Sequence, residues 1–267
     1  MFRLSREVRF AVNAVNAAAD DANRPATNSY AGFPSINGLA HYFELAVTLS
    51  GDVRPDSHYL LNIKDIDARI RKHAIPFVAD IVHRHPDRFG SAMLVQLFDR
   101  VGHLWPPARL ESLTFALSPF LCLSAHAREL PMTRLSQKFE FAASHRLHNP
   151  ALSDEQNRQT FGKCNNPHGH GHNYELQVTL VGTPGPTGLL VDVPAFEQIV
   201  AQSVIDRFDH KNLNTQVPEF AEEIPSVENI AKVIYRLLKP KLQSTSSKLA
   251  SVTVWETPKT WCEYSED

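Results

Sequence analysis

The sequence predicts an α+β protein of two tandem units, each a four-stranded antiparallel sheet with a helix pair on one face, in the order β-β-α-α-β-β. Three observations carry this reading: a long-range internal repeat, alternating apolar segments at both ends of each copy, and helical periodicity between them. The repeat comes first. Arg3-Leu4-Ser5 and Phe10-Ala11 recur as Arg134-Leu135-Ser136 and Phe141-Ala142. His41-Tyr42-Phe43-Glu44-Leu45-Ala46-Val47-Thr48-Leu49 recurs as His172-Asn173-Tyr174-Glu175-Leu176-Gln177-Val178-Thr179-Leu180, with the same offset of 131 positions. Leu60-Leu61-Asn62-Ile63 then matches Leu190-Val191-Asp192-Val193 after a one-residue slip, and Leu113-Thr114-Phe115 matches Val252-Thr253-Val254. The pattern predicts a tandem duplication, with units at 1–131 and 132–267.

In the second copy, Ser136–His145 alternates as a strand. So does Gly171–Val181, with Tyr174, Leu176, Val178 and Leu180 on one face. The polar stretch Asn149–Asn166 reads as a long loop. Phe196, Ile199, Val200, Val204 and Phe208 fall at helical spacing. Ser226 suits the N-cap of a second helix with Val227, Ile230, Ile234, Leu237 and Leu238 inward, and Pro240 ends it. Lys248–Glu256 supplies another strand, and the last residues a short one.

Composition narrows the class. The chain has 267 residues, 43% of them hydrophobic and 21% charged, and a formal net charge of −2. That balance offers no general attraction to nucleic acid or anionic membrane. No stretch approaches the roughly 18 apolar residues of a membrane span, and the first residues lack the pattern of a secretory signal. Three widely spaced cysteines, Cys122, Cys164 and Cys262, favour reduced thiols in the cytoplasm over a disulfide framework.

The chemistry concentrates in the second copy. His170-Gly171-His172 opens a strand, where residues two apart share a face, so both imidazoles can reach one ion. His145 ends the preceding strand, and antiparallel pairing can bring it alongside. Three imidazoles with an open fourth position describe a catalytic zinc site. His-x-His alone is a weak signal, but Ala14, Leu39 and His41 stand at the equivalent places of the first copy, which has lost two of the three ligands. His148 and His168 lie in loop context and read as bystanders.

These residues carry a resemblance. Phe141-Ala142-Ala143-Ser144-His145-Arg146-Leu147, Phe161-Gly162-Lys163-Cys164-Asn165-Asn166-Pro167 followed by Gly169-His170-Gly171-His172-Asn173-Tyr174, and Asp209-His210-Lys211-Asn212-Leu213 together resemble the 6-pyruvoyl-tetrahydropterin synthase family over about 134–264. The resemblance implies a T-fold, whose units assemble into a barrel in a homo-oligomer. It also implies a zinc-dependent lyase that converts the small molecule 7,8-dihydroneopterin triphosphate to 6-pyruvoyl-tetrahydropterin, with loss of triphosphate. Cys164 matches the family's catalytic cysteine, and a thiolate beside a cation is a plausible proton acceptor. Asp209 and His210 match its proton-handling pair. Glu256 matches the glutamate that anchors the pterin ring through two parallel hydrogen bonds. Ser226 and Glu228 resemble a further pterin-binding segment, although Val227 replaces a commoner threonine. Phe33 and Leu117 stand where the first copy would need Cys164 and Glu256, so 1–131 reads as a structural unit.

Two other functions fit the same residues. The sister activity, 6-carboxy-tetrahydropterin synthase of the 7-deazaguanine (queuosine) pathway, shares the zinc triad and the substrate. Its cysteine usually precedes His-Gly-His by three residues, whereas here Asn165 to Gly169 intervene, and this spacing favours the pyruvoyl branch. A zinc-stabilised pterin-binding protein without activity would not need Cys164, Asp209 and Glu256 together. Lys163, Arg146 and Lys211 are candidates for contacting the triphosphate.

Overall fold

A computed structural model of the chain describes residues 1–14, 28, 33–36, 38–86, 90–244 and 246–266. It divides into two compact units, Met1–Leu135 with Gly182–Leu190, and Ser136–Val181 with Val191–Asp267.

The first unit holds strands β1 (Phe2–Asn13) and β2 (Ala40–Gly51), helices α1 (Ile63–His73), α2 (Ile75–Arg84) and α3 (Ser91–Gly102), and strands β3 (Arg109–Ser118) and β4 (Leu121–His126). The strands lie in the order β1-β2-β3-β4, each pair antiparallel. Alternation buries Leu45, Val47 and Leu49 on one face, beneath a ring cluster of Phe10, Phe43 and Phe115 with centroids 5.1–6.3 Å apart. Ile66, Ile70, Val78, Leu94 and Leu97 of the helices are buried as well. Three helices stand where a pair was expected. Pro76 in the first turn of α2 has no N–H to donate back, so the chain restarts a helix at Ile75 instead of extending α1. Gly182–Leu190 belongs to this unit, and Ala92 N–H donates to Gly188 O at 2.9 Å.

The second unit contains β5 (Thr133–His145), α4 (Asp154–Phe161) and β6 (His170–Gly182). Helix α5 (Val193–Val200) then runs through a π turn into the short α6 (Asp206–Phe208). Strand β7 (Lys211–Asn212), α7 (Leu213–Gln216), α8 (Val227–Leu238), β8 (Ser247–Thr257) and β9 (Thr260–Tyr264) complete it. The order is β5-β6-β8-β9, with β7 running parallel to β5. Tyr174, Leu176, Val178 and Leu180 are buried as their alternation requires, and Phe141 stacks on Tyr174 at 4.9 Å. Helix α8 turns Ile230, Ile234 and Leu238 inward, and the Ser226 hydroxyl caps it by accepting from Asn229 N–H at 3.4 Å.

One stretch differs from the sequence reading. Asn149–Asn166 is not a loop throughout, because it contains α4 and a 3-10 turn at Gly162–Asn165. Helix α4 buries only Asn157 and so has no apolar stripe to betray it. A reciprocal capping box between Ser153 and Gln156 starts it. The Asn157 side chain ties it down by donating to the carbonyls of Asn149, Leu152 and Ser153.

The two units share small details. Ser5 Oγ meets Thr48 Oγ1 at 2.9 Å in the first, and Ser136 Oγ meets Thr179 Oγ1 at 2.9 Å in the second. Asn62 caps α1 and Asp192 caps α5 through their side chains. Among the described residues, no helix is long and apolar enough to cross a membrane.

Candidate metal centre and active site

The last residue of β5, His145, and the first and third of β6, His170 and His172, converge on one point. Their approach needs a close turn into β6. Gly169 adopts φ +72°, and a Cβ there would meet the His145 carbonyl oxygen at 2.9 Å, so both conformation and space call for glycine. His145 Nε2 lies 3.1 Å from His170 Nε2, and the three ring centroids are 4.5–5.3 Å apart. Strand β8 adds a fourth group. Glu256 Oε1 stands 3.3 Å from His145 Nε2 and 3.6 Å from His172 Nε2. The fourth position, expected to be open, therefore faces a carboxylate.

The protonation pattern suits a cation. His145 is fully buried, and its Nδ1 lies 2.7 Å from the Pro225 carbonyl, which can only accept. Nδ1 therefore carries the proton, and Nε2 presents a lone pair to the cluster. Burial holds His145 and His172 below the ordinary histidine range, which keeps both neutral. His172 Nε2 is buried and has no hydrogen-bond partner. Ligand atoms of His145, His170, His172 and Glu256 all lie within 4.8 Å of one another. With metal–nitrogen bonds of about 2.0–2.1 Å, the edge of a tetrahedral zinc site is roughly 3.3–3.4 Å, close to the separations found. These side chains fit a zinc ion, and no other such group of three or more occurs among the described residues.

The remaining candidates lie around this cluster at different removes. Cys164 is half-buried on the 3-10 turn after α4. That turn is clipped to the end of β5: Leu147 N–H donates to Cys164 O at 2.9 Å, and the Arg146 guanidinium reaches Asn165 O and Oδ1 at 3.2 and 3.1 Å. Burial, aided by the charges of Glu256 and Cys164, raises the Tyr174 phenol far above its ordinary value, which keeps it protonated. Its hydroxyl sits 3.4 Å from His145 Nδ1.

Asp209 and His210 form a pair of their own, with Asp209 Oδ2 2.8 Å from His210 Nδ1. The Ala142 N–H donates to Asp209 Oδ1 at 2.7 Å, and with the neighbouring His210 it holds that carboxyl below the usual range. His210 has φ +56°, an uncommon conformation for a side-chain-bearing residue, braced by its own N–H to Ala142 O at 2.6 Å. The imidazole is 83% exposed, at the rim of a depression of about 470 Å³ that His172, Asn173, Lys211 and Asn212 also line. Ser226 and Glu228 occupy the N-cap and first turn of α8, directly after Pro225. Lys163 shares the turn of Cys164.

Two features escaped the sequence reading: the backbone group that orients His145, and the place beside the histidines of Glu256, expected there as a pterin anchor. The Pro225 carbonyl sets the His145 tautomer, and a backbone acceptor leaves no side-chain signal. Glu256 joins the histidines through a β-bulge: Trp255 pairs with Trp261 and Thr257 with Thr260, so Glu256 is the extra residue. In the first unit, Ala14 N–H donates to Leu39 O at 3.2 Å, and Leu39 is 87% exposed. Neither side chain offers a ligand atom.

Comparison with known proteins places this site in a family. The family model for 6-pyruvoyl tetrahydropterin synthase matches residues 134–267. The human 6-pyruvoyl tetrahydrobiopterin synthase is 41% identical over 125 residues, covering 46% of this chain and 85% of the human one. The Drosophila melanogaster protein of the same name is 38% identical over 135 residues, covering 50% and 80%. A 6-carboxy-5,6,7,8-tetrahydropterin synthase from Haemophilus influenzae is 29% identical over 156 residues, covering 51% of this chain and all of that one. With its histidines and Glu256 inside the matched region, the chain belongs to the 6-pyruvoyl tetrahydropterin synthase family.

Proposed function

We propose that the second unit is a zinc-dependent 6-pyruvoyl-tetrahydropterin synthase, which converts 7,8-dihydroneopterin triphosphate to 6-pyruvoyl-tetrahydropterin with elimination of triphosphate. The observation that carries the proposal is the convergence of His145, His170, His172 and Glu256 within the matched region. The histidines hold the ion, and zinc bound there would stabilise the negative charge that develops as protons leave adjacent carbons. Cys164 accepts one proton. His210, oriented by Asp209, handles the proton returned or removed on the other side. Glu256 receives the pterin's ring N–H and amino group, and Ser226 and Glu228 complete the pterin contacts. Family membership and the greater identity to the human synthase than to the Haemophilus influenzae carboxy-forming enzyme support the pyruvoyl product.

In the same proposal the two units descend from a tandem duplication, and 1–131 is a structural partner without zinc. The matching Ser–Thr and cap contacts support this. The chain works in the cytoplasm as a homo-oligomer with barrel assembly.

Incubating the zinc-loaded chain with dihydroneopterin triphosphate and identifying products by mass spectrometry tests the activity. The expected products are 6-pyruvoyl-tetrahydropterin and triphosphate, and 6-carboxy-tetrahydropterin would move the chain to the sister activity. Metal analysis should find about one zinc per chain, because only one set of ligands of this type is present among the described residues. A value near two would overturn the reading of the first unit.

A further inference from the structure

We propose that the first unit carries a binding site of its own, for a sugar phosphate, in an open depression of about 580 Å³. The depression lies on the sheet face opposite the one that buries Leu45, Val47 and Leu49. It gives the unit that lacks zinc ligands a ligand of another kind, and it does not depend on the activity proposed for the second unit.

A bulge builds the wall. Leu49 pairs with Leu110 and Thr48 with Ser112, so Glu111 is the extra residue of β3. The bulge crowds Arg109, Glu111 and Ser112 together, beside Ser50 of β2 and its partner Arg3 of β1. His126 pairs with Ser112, and Ala127 N–H donates to Glu111 O at 2.8 Å, which brings Arg128 and Glu129 to the same rim. At the equivalent positions of the repeat, Val181 stands for Ser50 and Ala250 for Glu111, so the second copy lacks these polar groups.

Both carboxylates already have cationic partners. Glu111 Oε2 accepts from Arg3 Nε at 2.6 Å, and the Ser50 hydroxyl, with the charges of Arg3 and Arg128, holds that carboxyl below the usual range. Glu129 accepts two bonds from Arg134, at 2.7 and 3.0 Å. The Met1 amine, at the same wall, pairs with Asp52 at 3.3 Å. Among the described residues, no ion pair or side-chain hydrogen bond engages the Arg109 or Arg128 guanidinium, and both side chains are exposed. Two positive charges are therefore left over, which matches a phosphate monoester carrying about −1.5 to −2 near neutral pH. Guanidinium forks also fit phosphate oxygens in geometry.

The other groups specify what the phosphate is attached to. Each carboxylate keeps lone pairs beyond those its arginine uses, and Thr48 and Ser112 present hydroxyls, so the wall can both accept from and donate to alcohol groups. The volume falls in the range of roughly 300–1,000 Å³ usual for small-molecule sites, well beyond what a bare phosphate fills.

Titration calorimetry of the full chain with ribose 5-phosphate, inorganic phosphate and ribose tests the site. Ribose 5-phosphate should bind with a Kd of about 1 mM or lower, roughly tenfold or more below that of inorganic phosphate, and ribose alone should give no signal. The double variant Arg109→Gln with Arg128→Gln should weaken ribose 5-phosphate binding by about a hundredfold, two charge-assisted pairs at about tenfold each. Its melting temperature should match the wild type, because both side chains are exposed and hold nothing in place. A crystal of the wild type grown with ribose 5-phosphate should show the phosphate between the two guanidiniums. Absence of binding, equal affinity for inorganic phosphate, affinity that survives in the double variant, or a sugar phosphate bound elsewhere in the crystal would each overturn the proposal.

Discussion

His145→Ala is expected to reduce zinc affinity by more than a hundredfold and turnover by roughly a thousandfold or more. His145 is the one fully buried member of the cluster, and its ring is fixed from both sides. Nδ1 donates to Pro225 O at 2.7 Å, and Nε2 lies 3.1 Å from His170 Nε2 and 3.3 Å from Glu256 Oε1. Alanine removes the ligand and also leaves the Pro225 carbonyl without its donor, a cost of about 1–3 kcal/mol for a buried acceptor. The turnover loss follows from the several kcal/mol of charge stabilisation a Lewis-acidic ion supplies, at about 1.36 kcal/mol per tenfold. His168→Ala is the matched control, because that exposed side chain lies outside the cluster. Zinc titration against a chromogenic chelator, with kcat at saturating zinc, checks both values. Equal zinc loss in His168→Ala would show that the metal is bound elsewhere.

Cys164→Ala is expected to cost about a hundredfold or more in kcat while zinc stays bound. Loss of a general base typically removes about 10²–10⁴ in rate. The thiol is not in the ligand group, so coordination should survive its removal. Nor should the turn collapse, because its clips run through the Cys164 carbonyl and Asn165 and not through sulfur. Cys164→Ser keeps the shape but offers a far weaker acid, and its rate should stay close to that of the alanine variant. Kinetics and metal analysis on the same preparations decide between base and ligand. A fall in zinc content with the rate would identify sulfur as a ligand instead.

Much of the site was legible wherever one local rule dominated. The His-x-His spacing worked because strand side chains alternate, and the fold places both rings beside the end of β5. Ser226 and its apolar i, i+3, i+4 pattern marked α8 because cap and stripe are both local. Helix α4 stayed hidden because a capping box and the hydrogen bonds of Asn157 hold it, without an apolar face. The split of α1 from α2 turned on Pro76, which is visible in the sequence but plays no part in the repeat-based expectation of a helix pair.

By itself, then, the sequence determined the kind of chemistry: three imidazoles at strand spacing, a cysteine in a polar turn, and the motifs that mark the family. It could do so because residue type and short spacing are local properties. Only the tertiary structure decided how those groups stand to one another. Glu256 meets His145 across 111 positions of chain because β8 bulges at one residue, and the Pro225 carbonyl reaches His145 Nδ1 because the cap of α8 stops there. The exposed Asp209–His210 pair owes its shape to the backbone of Ala142 and a left-handed φ. Distances, tautomers and bulges arise from packing between segments far apart in the chain, and no local pattern of residues encodes them.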